Sequence, residues 1–173
     1  MSPEVQIKGQ ALHQRQKLQT NINGPAIICD GLQTPENLGS ILRVADATGS
    51  KKIILLDSEL DLTNKKISKL ARSTDRHLTI EHSSLDEFIN KSIQYEYLCA
   101  LEITTASRDV FHSDIKACDA IIVGHESHGI RPEVLALSKA SFHLPMFGIN
   151  GSMNISHALA VFLYEWRRQT GTE

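Results

Sequence analysis

Ala120-Ile121-Ile122-Val123-Gly124-His125-Glu126-Ser127-His128-Gly129-Ile130 runs from four consecutive apolar residues into a polar loop with a glycine near each end. The apolar run has the length and β-branched content of a strand buried on both faces. The glycines permit close backbone approach and positive φ. Ligands of open α/β sheets bind beyond the carboxyl ends of strands, so such a loop marks a candidate site. Outward from this stretch, Ala26–Cys29, Lys52–Leu56, Tyr97–Leu101 and Ser141–Leu144 read as further strands. Helix-like segments lie between them at Gly39–Thr48, Lys65–Arg72, Leu85–Ser92 and Pro132–Lys139, with Pro132 suited to a first turn. The last helix is expected over Ser152–Arg168, where Ile155, Leu159, Phe162 and Trp166 recur at helical spacing. Strands alternating with helices predict an α/β fold: a mainly parallel sheet flanked by helices. Residues 4–20 are polar and predict a small N-terminal helix, and Asn21–Pro25 reads as a break. The chain therefore divides into an N-terminal helical extension, 1–24, and one domain, 25–173.

Composition bounds the function. At 173 residues with 41% hydrophobic content, the chain suits one domain with a sizeable core. A formal net charge of −2 argues against a general nucleic-acid clamp but allows a local basic patch. Three widely spaced cysteines, Cys29, Cys99 and Cys118, form no CxxC pair, which excludes a disulfide framework and fits a reducing compartment. With no apolar leader and no run long enough to cross a bilayer, a cytoplasmic protein is expected. Dinucleotide and phosphate-loop signatures are absent.

Two more loops carry polar residues. Thr34-Pro35-Glu36-Asn37-Leu38-Gly39-Ser40-Ile41-Leu42-Arg43 follows the first strand, with Asn37 expected as a helix N-cap. Arg43 stands among apolar neighbours and needs an anionic partner: either a ligand, or Asp46 or Glu36 in a surface ion pair. Leu144-Pro145-Met146-Phe147-Gly148-Ile149-Asn150-Gly151-Ser152-Met153-Asn154 leads into the last helix, with Ser152 as its expected N-cap. No GxSxG elbow makes Ser152 a nucleophile. The His125/Glu126/His128 cluster lacks metal-ligand spacing, and no metal is expected.

Together the three loops resemble the motifs of the SpoU/TrmH family of SPOUT-class methyltransferases. Asn37, Gly39 and Arg43 match an N-x-G-x-x-x-R pattern; Gly124, Glu126 and Gly129 match G-x-E-x-x-G; Leu144-Pro145-Met146, Ser152-Met153-Asn154 and Tyr164-Glu165 match the third motif. Met153 replaces the family's leucine, and Ala71–His77 replaces a small Ser-x-Gly-Ala stretch with a polar, basic loop.

The resemblance implies a C-terminal deep trefoil knot holding S-adenosyl-L-methionine (AdoMet). It implies a homodimer with the active site at the subunit interface, and RNA ribose 2′-O-methylation. By the same resemblance, Arg43, Asn37, Glu126, Ser152 and Asn154 form the catalytic set, and Leu101, Glu102, Gly124, Leu144, Met146 and Met153 hold the cofactor. Arg43, Arg72 and Arg76 are expected to meet RNA, although 71–77 also fits a solvated loop. Only some 25 residues precede the first strand, which points to tRNA over rRNA. The alternatives are an rRNA-directed enzyme and a non-catalytic RNA-binding relative.

Overall fold

A computed structural model of the chain describes residues 23–71 and 77–171. Its elements alternate along the chain as β1 (Ala26–Asp30), α1 (Pro35–Thr48), β2 (Lys52–Leu56), α2 (Lys65–Ala71), β3 (Thr79–Ser83), α3 (Leu85–Ser92) and β4 (Leu98–Leu101). They continue as β5 (Arg108–Asp109), a 3₁₀ turn at Val110–His112, β6 (Ala120–Val123), α4 (Pro132–Leu135), β7 (Ala140–His143) and α5 (Ile155–Thr170). One seven-stranded sheet runs in the order β3-β2-β1-β6-β4-β7-β5. Every neighbouring pair is parallel, with Ile27 opposite Ile53 on one side and Ile121 on the other.

The strands are apolar on both faces because helices cover both. Ile27, Cys29, Ile121 and Val123 join Leu38, Ile41, Leu159, Phe162 and Trp166 of α1 and α5 in one core. Their alternates Ile28, Ala120 and Ile122 join Phe88 of α3 and Val134 of α4 in the other. The Trp166 indole N–H donates to Cys118 O at 3.1 Å and the Arg167 Nε to Thr48 O at 2.6 Å, which ties α5 to the amino-terminal edge of β6 and to the end of α1. The three cysteines are buried and unpaired. Among the described residues no helix is long and apolar enough to cross a membrane.

The expected strands and helices are present, the helix expected over Pro132–Lys139 only as the single turn Pro132–Leu135, with corrections that have local causes. Strand β3 was not expected, because Thr79-Ile80-Glu81-His82-Ser83 is polar; it is an edge strand, which needs only one partner and little apolar surface. The two-residue β5 is too short to leave a pattern. Helix α1 starts at Pro35 rather than Gly39, since proline's fixed φ suits a first turn, and Thr34 takes the N-cap position expected of Asn37. Asn154, not Ser152, caps α5: its side chain accepts from Ser156 N at 3.0 Å. Phe162 lies in the core, so the apolar flank that α5 leaves exposed is Val161 and Tyr164. The N-terminal helix expected over 4–20 and the loop arginines Arg72 and Arg76 fall outside the described residues.

Candidate active site

The site lies where the sheet's connections diverge. From β1 the chain winds outward through β2 to β3, then returns to build β4 and β6 on the other side. Crevices at such points, beyond the carboxyl ends of strands, are where open α/β sheets bind ligands. Here the exits of β4, β6 and β7 enclose a cavity of about 660 Å³. All six residues expected to hold the cofactor line it: Leu101, Glu102, Gly124, Leu144, Met146 and Met153. From the expected catalytic set, Glu126, Ser152 and Asn154 join them.

Close backbone packing shapes the floor of this cavity. His125 N donates to Gly129 O, and Gly129 N donates back to His125 O, each at 3.0 Å, folding the 124–130 loop onto itself. A Cβ on Gly124 would fall inside the carbonyl carbon of Gly129 and the nitrogen of Ile130, so no side chain fits there. Gly129 has φ +69°, and a Cβ on it would meet Glu102 Oε2 at 2.5 Å. That carboxylate accepts from Ile130 N at 2.9 Å and, through Oε1, from Ile103 N at 2.9 Å. Glu102 therefore clamps the exit of β4 to the loop after β6.

A directional polar chain joins the three motif loops at the rim. Glu126 Oε1 accepts from Thr34 N and from Asn37 Nδ2, both at 2.9 Å, and Oε2 from Gln33 N at 3.4 Å. A carboxylate can only accept, so Asn37 must turn its nitrogen toward Glu126 and its oxygen away. That oxygen accepts from Asn154 Nδ2 at 2.9 Å, and Asn154 Oδ1 accepts from both Ser156 N and Ser156 Oγ. Partial burial works against the Glu126 charge, but the hydrogen bonds from Thr34 and Asn37 outweigh it and bring its pKa down to about 2. A carboxylate held ionised through the neutral range fixes the orientation of both amides. Full burial, with the Glu126 charge adding to it, pushes the Cys29 thiol up to about 12, so Cys29 is no nucleophile.

Arg43 is exposed on α1, away from the cavity wall, and forms no ion pair among the described residues. Of its two expected ion-pair partners, Glu36 is taken by Lys66 at 2.8 Å, and Asp46 forms no ion pair among the described residues. His125 and His128 lie with ring centroids 4.6 Å apart at a 54° tilt and Nδ1 atoms 3.2 Å apart, but no group of three or more side chains that could hold a metal exists among the described residues.

Sequence reasoning missed a second layer. Asp30, at the end of β1, is buried, and accepts from Arg131 N and Arg131 Nε, both at 2.8 Å. Arg131 reaches on to Asp57 at the end of β2, 2.7 Å away. This cation pins the end of the 124–130 loop to the sheet. The available signal was an aspartate closing an apolar strand, since buried carboxylates need partners. His143, which also lines the cavity and meets Ser107 Oγ at 3.0 Å, left no such signal.

Comparison with known proteins bears on this geometry. The family model described as the SpoU rRNA Methylase family matches residues 24–164. The chain belongs to the SpoU rRNA methylase family. The 23S rRNA (guanosine(2553)-2′-O)-methyltransferase RlmP of Bacillus subtilis is 27% identical over 145 residues, covering 82% of this chain and 57% of that protein. The 23S rRNA (guanosine-2′-O-)-methyltransferase RlmB of Ralstonia nicotianae is 29% identical, covering 88% and 63%. This SpoU-family chain thus spans about three fifths of the length of the curated relatives it matches. Among solved structures, the AdoMet-bound rRNA methyltransferase of Sinorhizobium meliloti superposes with a TM-score of 0.75 at 24% identity, covering 85% of this chain and 57% of that one. The expected α/β architecture is thereby the fold of the family.

Proposed function

We propose that residues 25–173 form a methyltransferase domain that transfers a methyl group from S-adenosylmethionine to a ribose 2′-hydroxyl of RNA. The observation that carries this reading is the chain Glu126–Asn37–Asn154–Ser156, which draws the three motif loops to one rim of the 660 Å³ cavity. The residues fit the cofactor: a cavity of that volume, apolar at Leu101, Leu144 and Met153 and with Glu102 as a polar group, has the make-up of a small-molecule site. Bound S-adenosylmethionine supplies an electrophilic methyl group on a sulfonium. The chain's own residues supply placement. Gly124 leaves room for close approach, Glu126 fixes Asn37 and Asn154, and Ser152 and Asn154 stand on the cavity wall to orient a ribose. Arg43, with no ion pair among the described residues, is assigned to the RNA phosphate and to positioning the reacting hydroxyl.

Calorimetry with S-adenosylhomocysteine tests the reading, and absence of binding by the purified protein would overturn it. Arg43→Ala is expected to lower methyl transfer by about 10²–10³-fold, with cofactor affinity within about twofold of wild type. Equal loss of cofactor binding and of thermal stability would make Arg43 structural instead.

We also propose the knotted C-terminal segment and a homodimer. Val161 and Tyr164 on α5 are 37% and 57% exposed while Leu159, Phe162, Leu163 and Trp166 are buried, and a helix apolar over this wide an arc buries more than one face. Light scattering at micromolar concentration is expected to give twice the chain mass; a monomer contradicts it. For the substrate, the expectation of tRNA over rRNA gains nothing from RlmP and RlmB, whose names specify 23S rRNA, nor from relatives named only as tRNA/rRNA methyltransferases. We therefore take rRNA as the first substrate to test and tRNA as its rival.

A further inference from the structure

We propose that helix α2, with Arg43 of α1, forms a track for the RNA phosphate backbone that delivers the substrate to the rim of the cavity. This inference rests on the RNA reading above. Between Lys65 and Ala71, α2 carries Lys65, Lys66 and Lys69 and no acidic residue, in a chain whose net charge is −2. The positive charge is thus concentrated locally rather than spread. All three lysines are exposed, and among the described residues neither Lys65 nor Lys69 makes an ion pair. Lys65 and Lys69 stand four residues apart, so they point the same way along the helix.

What ties this row to the site is Gly39. A Cβ there would meet Leu70 Cβ at 2.7 Å and Ile67 O at 3.2 Å, so only glycine lets α2 lie directly on the first turns of α1. The contact seats Lys66 on Glu36 at 2.8 Å. Glu36, Ser40 and Arg43 follow one another at helical spacing along one side of α1, and Ser40 Oγ donates to Glu36 O at 2.9 Å. The neighbouring residue, Asn37, faces Glu126 instead. The first turn of α1 therefore holds Lys66 of α2 through Glu36 and faces the candidate active site through Asn37, on consecutive residues about 100° apart around the helix. Exposed ammonium groups without internal partners keep their attraction for a polyanion and recognise its charge rather than its sequence. The lysine–Glu36 pair is a surface ion pair, of small worth, that phosphate can displace.

The test uses the full chain with S-adenosylhomocysteine and two probes, unmodified 23S rRNA and tRNA transcripts. K65E/K69E is compared with K91E/K139E, which reverses two exposed lysines elsewhere on the surface. The expected result is about tenfold or greater loss of affinity for both RNAs in K65E/K69E, with S-adenosylhomocysteine affinity unchanged and K91E/K139E near wild type. The slope of log K against log salt should fall by about 1.4, since each lost phosphate contact removes about 0.7 on single-stranded RNA. K65A/K69A, which keeps helix propensity, should show the same slope change at smaller loss. Equal losses in K65E/K69E and K91E/K139E would overturn the track while leaving the RNA reading intact. Failure of the wild-type protein to bind either RNA would overturn both.

Discussion

Gly124→Ala is expected to cost about a hundredfold or more in affinity for S-adenosylhomocysteine. The added methyl group would collide with the backbone of Gly129 and Ile130, and neither can swing aside as a side chain could. Relief requires the 124–130 loop to open, which breaks the paired hydrogen bonds between His125 and Gly129 and moves Ile130 off Glu102. Displacements near 1 Å at a binding site carry effects of about 10². Overpacking of this kind also costs about 1–3 kcal/mol of stability. Calorimetry and urea denaturation read the two consequences separately. Wild-type cofactor affinity in a folded Gly124→Ala protein would show that the cavity floor plays no part in binding.

The second large effect is expected at Arg131, a residue outside all three motifs. Arg131→Ala leaves the Asp30 carboxylate, whose side chain is fully buried, with only one backbone N–H from residue 131. Removing one partner of a buried ion pair costs about 3–5 kcal/mol, because the remaining charge is left uncompensated. Adding Asp30→Asn to Arg131→Ala should recover part of that loss, since a neutral amide needs no counter-charge. Arg131→Lys should restore stability incompletely: one ammonium group cannot bridge Asp30 and Asp57 as the forked guanidinium does. Urea denaturation of the three variants checks the order. A cost below about 1 kcal/mol for Arg131→Ala would mean that solvent replaces the cation.

Legibility of the fold followed burial. β1, β2, β4 and β6 are runs of Ile, Val, Leu, Ala and Cys because both their faces are covered, and such runs are visible in the chain. β3 and β5 occupy the two edges, where one partner suffices and polar residues such as Glu81 and Arg108 are tolerated. Helix ends depended on which of two good capping residues the chain uses. Ser152 and Asn154 are both suitable, and Asn154 takes the role because it also closes the chain to Asn37 and Glu126. The candidate site residues were legible as motif matches, and the six matched to cofactor positions line one cavity. Asn37, expected both as a cap and in the catalytic set, is no cap but a member of the polar chain, a contact that only the folded arrangement of α1 against the 124–130 loop creates. The Asp30–Arg131–Asp57 network joins residues 101 and 74 positions apart, a separation that no local pattern encodes.

Methyl transfer to a ribose 2′-hydroxyl is open to one direct measurement. The purified chain, incubated with S-adenosylmethionine and unmodified RNA from cells lacking the gene, is followed by mass mapping of ribose and base methylation. The expected result is a single new 2′-O-methyl nucleotide, absent from the untreated RNA and absent when Arg43→Ala replaces the wild type. A methyl group on a base, or no methyl group from a protein that binds S-adenosylhomocysteine, would contradict it.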